Sequence, residues 1–255
     1  MRYDLSSREL RVRDYYRIGW EVLKREKNRF LILLLVVGLP STILESWLYV
    51  RWDVNPAGFE NSGYSMLIMI ITQVFMVFAS ACVYVVTEND LEERSISFGT
   101  VLARIVRRFP MFVLALLLYY AVVMLGFLML VIPAFYFIIV FSFYLLFMVL
   151  EDKDFWDGFG GSRRLVRGHF WHVTGMTLAF LLPGFVVFLI VFFWPEARLA
   201  NGIVSFLSHA YTMFYSILLT LLFLNVRQVW KPAAPVSENP EGAATGQLPP
   251  ETPVS

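Results

Sequence analysis

The 255-residue chain is short of charge and nearly devoid of thiols and imidazoles. Asp, Glu, Lys and Arg make up 16% of it and apolar residues 58%, whereas an ordinary soluble domain is about a quarter charged and about half apolar. That balance argues against a soluble globule. The net charge is +1, which excludes the concentrated basic face that nucleic acid requires. The single cysteine, Cys82, lies in an apolar run. It can neither form an internal disulfide nor complete a thiolate metal site, and reads as a small packing residue. Of three histidines, His169 and His172 have no carboxylate partner at ligand spacing. The expectation is therefore no metal and no cofactor.

What the chain does have is uncharged length. Five stretches of 15 or more residues lack any Asp, Glu, Lys or Arg: Phe30 to Leu44, Ser62 to Thr87, Phe109 to Leu150, Gly168 to Pro195 and Leu199 to Val226. A membrane span needs about 20 predominantly apolar residues, and the third stretch, of 42 residues, holds two. Pro133 lies near its middle and biases Ile132 away from helix, which places a tight turn at Val131 to Ala134. The first stretch resumes its apolar character after Glu45 through Trp47, Leu48, Tyr49 and Val50. The reading is an all-α polytopic membrane protein with six spans, at about 30–50, 65–87, 109–131, 134–150, 171–194 and 203–226.

Orientation follows from Lys and Arg, which accumulate on the cytoplasmic side. Segment 1–29 holds nine, 88–108 four, 151–170 four and the region after 226 two, while the alternate loops hold only Arg51 and Arg198. Both termini are thus expected in the cytoplasm. Trp47, Trp52, Trp171, Trp194 and Trp230 all fall at predicted helix ends, where amphipathic rings collect. The polar head of 29 residues and the absence of Ala-x-Ala after the first span do not fit a cleaved leader, so the first helix is expected to stay.

Each inside segment reads as an amphipathic, interfacial helix running into a span. In 1–29, Ser6 and Glu9 have capping-box spacing, and Val12, Tyr15, Tyr16, Gly19 and Leu23 oppose Arg13, Arg17, Glu21 and Lys24. In the second, Phe98, Val101, Leu102, Ile105 and Val106 oppose Arg104, Arg107 and Arg108. In the third, Phe155, Phe159, Ser162, Val166 and Phe170 oppose Asp157, Arg163, Arg164 and Arg167. The three share helical period. Two readings of the threefold unit stand: a diverged internal repeat, or the basic-then-aromatic edge that membrane-entering helices share. Arg104, Arg107, Arg108, Arg163, Arg164 and Arg167 are candidate contacts to anionic lipid headgroups, beside the plainer reading of anchoring alone. Lys231 to Ser255 contain six of twelve prolines and almost nothing to bury, and are read as a disordered cytoplasmic tail.

Catalytic signals are sparse. Asp154-x-x-Asp157-Gly158 is similar to the opening of the CDP-alcohol phosphotransferase signature, but Gly161-Ser162 replace its Ala-Arg pair and no aspartate follows Asp157. Without a second carboxylate pair the divalent site is incomplete. Gly158, Gly160 and Gly161 follow no strand, so they cradle no phosphate and are expected to loosen the join after the fourth span. Within the spans Glu45 and His209 stand out, because a charge there costs roughly 2.5 to 3.5 kcal/mol. They lie at matching depth from the outer ends of helices one and six, either as a hydrogen-bonded polar pair or as groups shallow enough to reach water. Ser205, Ser208, Thr212, Ser216 and Thr220, spaced 3, 4, 4 and 4, form a hydroxyl stripe on helix six. It serves either close helix packing or the lining of a substrate path.

Gly19-Trp20 before a span containing Leu39-Pro40, Pro133 opening the fourth span, Glu151 closing it, and Ser162-x-x-Leu165-x-x-Gly168-x-x-Trp171 together make a pattern. Over residues 8 to 228 the chain resembles the membrane domain of some bacterial glycerophosphoryl diester phosphodiesterases and its stand-alone relatives, the YciC-like inner membrane proteins. The resemblance implies a six-helix protein of the bacterial cytoplasmic (inner) membrane. It does not imply phosphodiesterase activity, which belongs to a separate barrel, and this chain has no His-Arg-Gly. The expected function is a non-catalytic accessory or scaffold linked to membrane lipids. A small-solute or lipid transporter using the helix-six stripe is the alternative, and a membrane-embedded lipid enzyme the third.

Overall fold

A computed structural model of the chain describes residues 10–51, 62–129, 131–193 and 198–229. The Ser6–Glu9 capping box, Trp52, Trp194, Trp230 and the 231–255 tail lie outside the described residues. Those described are almost wholly helical, without a strand: α1 (Val12–Arg25), α2 (Lys27–Leu33), a π-helical turn (Leu34–Gly38), α3 (Leu39–Arg51), α4 (Ser62–Leu91), α5 (Phe98–Met129), α6 (Val131–Val140), α7 (Tyr144–Leu150), α8 (Phe155–Arg167), α9 (Phe170–Phe193) and α10 (Arg198–Val229). Among the described residues, five stretches are long and apolar enough to cross a membrane, namely Lys27–Leu48, Leu67–Leu91, Phe98–Leu128, Pro133–Leu150 and Ile203–Val229.

The uncharged runs make helices because they supply Leu, Ile, Val, Met and Phe without interruption, and the interruptions have identifiable causes. Pro40 has no N–H to give, so the helix ahead of it widens. Leu39 donates to the Leu34 carbonyl five residues back, and the Ser41 and Thr42 hydroxyls both donate to Gly38 O, at 2.8 and 2.9 Å. Pro133 lies just past the boundary between the third and fourth spans, which falls between Met129 and Val131 and not at the expected Val131 to Ala134. It sits in the first turn of α6, where a missing N–H has no partner to lose, and Val131 to Ala134 are helical. The break in helix four lies later, at Phe141 to Phe143, with short-range bonds from Ser142 N to Ile139 O and from Tyr144 N to Phe141 O.

The second basic segment also departs from expectation. Phe98 to Arg108 is continuous with its span as the first third of α5, since nothing between Arg107 and Phe109 stops a helix and Pro110 removes only one ladder bond. By contrast α1 and α8 are separate helices lying against the bundle. α1 buries Tyr15, Ile18, Gly19 and Val22 against α10 and leaves Arg13, Arg17 and Lys24 outside. α8 buries Gly158, Phe159, Gly161, Ser162 and Val166.

These two helices wrap one end of the bundle. There Val85, Val86, Val101, Ile105, Leu146, Met148, Val149 and Leu221 to Leu224 are buried. Toward the other end Leu117, Leu125, Leu128, Phe185, Ile203 and Leu207 are exposed, presenting the apolar outer surface a lipid environment accepts.

Candidate functional site

Three groups of polar side chains stand out, and the first joins α3 to α10. Thr42 and Glu45 lie one turn apart on α3; His209 and Ser205 lie one turn apart on α10, in antiparallel register. The Ser205 hydroxyl donates to Glu45 Oε2 at 2.6 Å, and Thr42 Oγ1 lies 2.9 Å from His209 Nδ1. The structure thus brings Glu45 and His209 to one seam, but each bonds a hydroxyl across it rather than the other. A carboxylate one helical turn beyond the imidazole, about 5.4 Å along the axis, meets the serine at its own level first. Gly38 lies beside the seam, where a Cβ would crowd Leu34 Cδ1 at 2.9 Å and stand in ordinary contact with His209 Cβ at 3.7 Å.

The hydroxyl stripe of α10 continues from this seam toward the wrapped end and changes role on the way. Thr212, Ser216 and Thr220 donate to the carbonyls of Ser208, Thr212 and Ser216, four residues back, at 2.8 to 2.9 Å. Ser216 also bonds Ser80 on α4 at 3.0 Å. Ser216 and Thr220 are buried, so this part of the stripe packs between helices.

The second group is at the wrapped end and is built of ion pairs. Arg104 and Arg108 on α5 both reach Asp152, at 2.7 and 3.2 Å, and Arg104 also donates to Val149 O. Asp152 follows α7 with a φ of 53°, a left-handed conformation that aspartate tolerates better than most residues. Lys153 N closes that turn onto Phe147 O. Arg227 pairs with Glu151 at 3.3 Å, and Arg25 of α1 grips Asp90 of α4 at 2.6 Å. Tyr15 donates to Asn225 at 2.8 Å, and Tyr16 to Ala179 O. Burial holds the Tyr16 phenol above its usual pKa, keeping it a donor. Of the six candidate headgroup arginines, then, Arg104 and Arg108 are paired with Asp152 at the surface. Arg107, Arg163, Arg164 and Arg167 are exposed and meet no carboxylate among the described residues.

The third group was not legible as a site. Ser162, buried on α8, plugs the break between α6 and α7: its hydroxyl donates to Val140 O at 2.6 Å and accepts from Phe143 N at 3.1 Å. The glycines around it do not loosen a join. Gly158 and Gly161 let α8 lie directly on α7, for a Cβ at Gly158 would meet Met148 Cγ at 2.8 Å and Tyr144 O at 3.1 Å, and one at Gly161 the Phe147 ring at 3.0 Å, while Gly160 faces open space. The signal available was Gly158-x-x-Gly161-Ser162, small residues on one helical face. Cys82 is buried in the core. Among the described residues no three His, Cys, Asp or Glu side chains gather to hold a metal.

Compared with known families, residues 95–234 match the model of a domain of unknown function (DUF7847). No curated protein and no solved structure matches the chain.

Proposed function

The chain belongs to the DUF7847 family, whose matched segment contains all six candidate headgroup arginines, and from that premise we propose a non-catalytic accessory or scaffold of membrane lipids. It crosses the bacterial cytoplasmic membrane six times with both termini inside. α9, at 24 residues with no charged side chain, is about 36 Å long and supplies the sixth crossing. α1 and α8 lie at the inner interface as amphipathic helices. The resemblance to a phosphodiesterase membrane domain supports the lipid connection.

The observation that carries this reading is the division among the arginines. Arg104 and Arg108 share Asp152, whereas Arg107, Arg163, Arg164 and Arg167 are exposed without a carboxylate. Cations left unpaired beside an anionic leaflet each gain about 1 kcal/mol from it. Native mass spectrometry of the purified chain tests the proposal. Anionic phospholipid should be retained by the wild type and depleted when these four arginines become glutamine; an unchanged lipid profile refutes it.

A transporter is the second reading, favoured by the interruptions at Leu34–Gly38 and Phe141–Phe143, since carriers place broken helices at their binding sites. Reproducible solute uptake into liposomes holding the chain would put it first.

A further inference from the structure

The lipid reading rests on α5 and α8, yet α1 carries the better-developed surface. On α1, Arg13, Arg17, Trp20 and Lys24 follow at i, i+4, i+7 and i+11, and on α8, Trp156, Gly160, Arg163 and Arg167 follow at the same offsets. Each set forms a single file about 16 Å long on one helix. Both files face away from the bundle. The cations are exposed, Trp20 is 53% and Trp156 70% accessible, and a Cβ added at Gly160 would meet nothing within 4 Å. Behind each lies a buried face: Tyr15, Ile18, Gly19 and Val22 on α1, and Phe159, Ser162 and Val166 on α8.

Both helices are also fixed to the same end. α1 is tied there by Arg25 to Asp90 and Tyr15 to Asn225; α8 begins just after Asp152, which Arg104 and Arg108 hold. Carboxylates beside the files are few. Asp14 lies 3.9 Å from Arg17, Glu21 lies 4.0 Å from Arg25, and Asp157 flanks the α8 file. Lys24 sits over the Trp20 ring at 5.7 Å, and that ring, half exposed, also packs edge-on against Phe214 of α10. Indoles and cations in one file are what the headgroup layer of a bilayer recognises, the ring at the acyl boundary and the charges on phosphates.

From this arrangement we infer that α1 is a second contact with the anionic membrane surface, so that the Arg13–Arg17–Trp20–Lys24 file and the Trp156–Arg163–Arg167 file clamp the wrapped end to acidic phospholipid at two points. The inference deepens the lipid reading and depends on it. The α1 half stands on α1 geometry alone.

Hydrogen exchange of the full chain in nanodiscs separates the two. Amides of residues 12–25 and 155–167 are followed in phosphatidylcholine alone and in phosphatidylcholine mixed with phosphatidylglycerol. Both segments should exchange more slowly in the anionic discs, by about fivefold for each cation engaged. Replacing Arg13, Arg17 and Lys24 by glutamine should abolish the slowing in 12–25 and leave it in 155–167. These side chains are exposed, so the variant's exchange in pure phosphatidylcholine should match the wild type and show that it folds. Slowing in 155–167 alone overturns the α1 contact and leaves the lipid reading standing; slowing in neither overturns both. Slowing of 12–25 by added RNA or polyphosphate, and not by phosphatidylglycerol, would make the partner a soluble polyanion and overturn the membrane assignment.

Discussion

Replacing Ser162 by alanine tests the account of helix four, because one oxygen there serves two backbone groups. The hydroxyl gives its proton to Val140 O at 2.6 Å and takes one from Phe143 N at 3.1 Å, with Ser162 fully buried. Alanine leaves a buried carbonyl and a buried amide without their partner, at roughly 1 to 3 kcal/mol for each group. Local closing of the turn would recover part of this, so the net loss should be about 2 to 4 kcal/mol. For a chain of this size that lowers the thermal midpoint by roughly 5 to 15 °C. The assay is unfolding in detergent, with hydrogen exchange read over residues 139–147. Exchange there should rise more than in α10, since the damage is local. A midpoint within a degree of wild type and an unaltered exchange pattern would mean that the break closes by itself and that Ser162 is merely packed there.

Further outcomes follow from the same geometry. In double-mutant cycles, Glu45→Gln with Ser205→Ala and Thr42→Ala with His209→Ala should each be non-additive by about 0.6 kcal/mol, the average for hydrogen bonds between membrane helices. Glu45→Gln with His209→Ala should be additive; a larger coupling for that pair than for the other two would restore a direct bond. Gly126→Ala should destabilise by roughly 1 to 3 kcal/mol in thermal unfolding, because its Cβ would stand 2.9 Å from the Ala134 Cα on α6. Gly160→Ala, facing open space, should be neutral or slightly stabilising, and a loss there would mean the α8 file is covered. Asp152→Ala releases Arg104 and Arg108 and loses a residue suited to its left-handed turn. Because both pairs are solvent-accessible, it should lower stability by about 1 kcal/mol, and Asp152→Asn, which keeps the turn, by less.

The helical architecture was legible because uncharged length is a one-dimensional signal: four of the five runs that Asp, Glu, Lys and Arg leave open, the longest of them counted twice, coincide with the five helices long and apolar enough to cross a bilayer. The boundaries were less so, and proline misled. Pro133 invited a break, whereas Pro40 was carried inside the first span. One begins a helix and the other widens one, since a proline needs only that its absent N–H be spared or its neighbour's carbonyl be served otherwise, as Ser41 and Thr42 serve Gly38. The break within the fourth span, at Phe141 to Phe143, has no proline; it depends on Ser162, nineteen residues from Phe143, a pairing that no local pattern reveals. Depth matching singled out Glu45 and His209, and the fold has them on one seam without a bond between them. Depth could not resolve which of four side chains on two helices met which, because a single turn decides that. Among the arginines, periodicity placed Arg104 and Arg108 on the same polar face as Arg107, and only the folded position of Asp152 separates the pair it holds from the one it does not.

Topology is the most direct test of the whole, because five crossings and six put the two ends of the chain on opposite sides or on the same side. Single cysteines at 27, 95, 168 and 231, and at 55 and 201, in a Cys82→Ala chain, are treated in intact cells and in inverted vesicles with a membrane-impermeant maleimide. Six crossings with an inner wrapped end predict that 55 and 201 label from outside and that 27, 95, 168 and 231 label only after inversion. Labelling of 231 in intact cells, with 27 still protected, would remove α9 as a crossing and contradict the account.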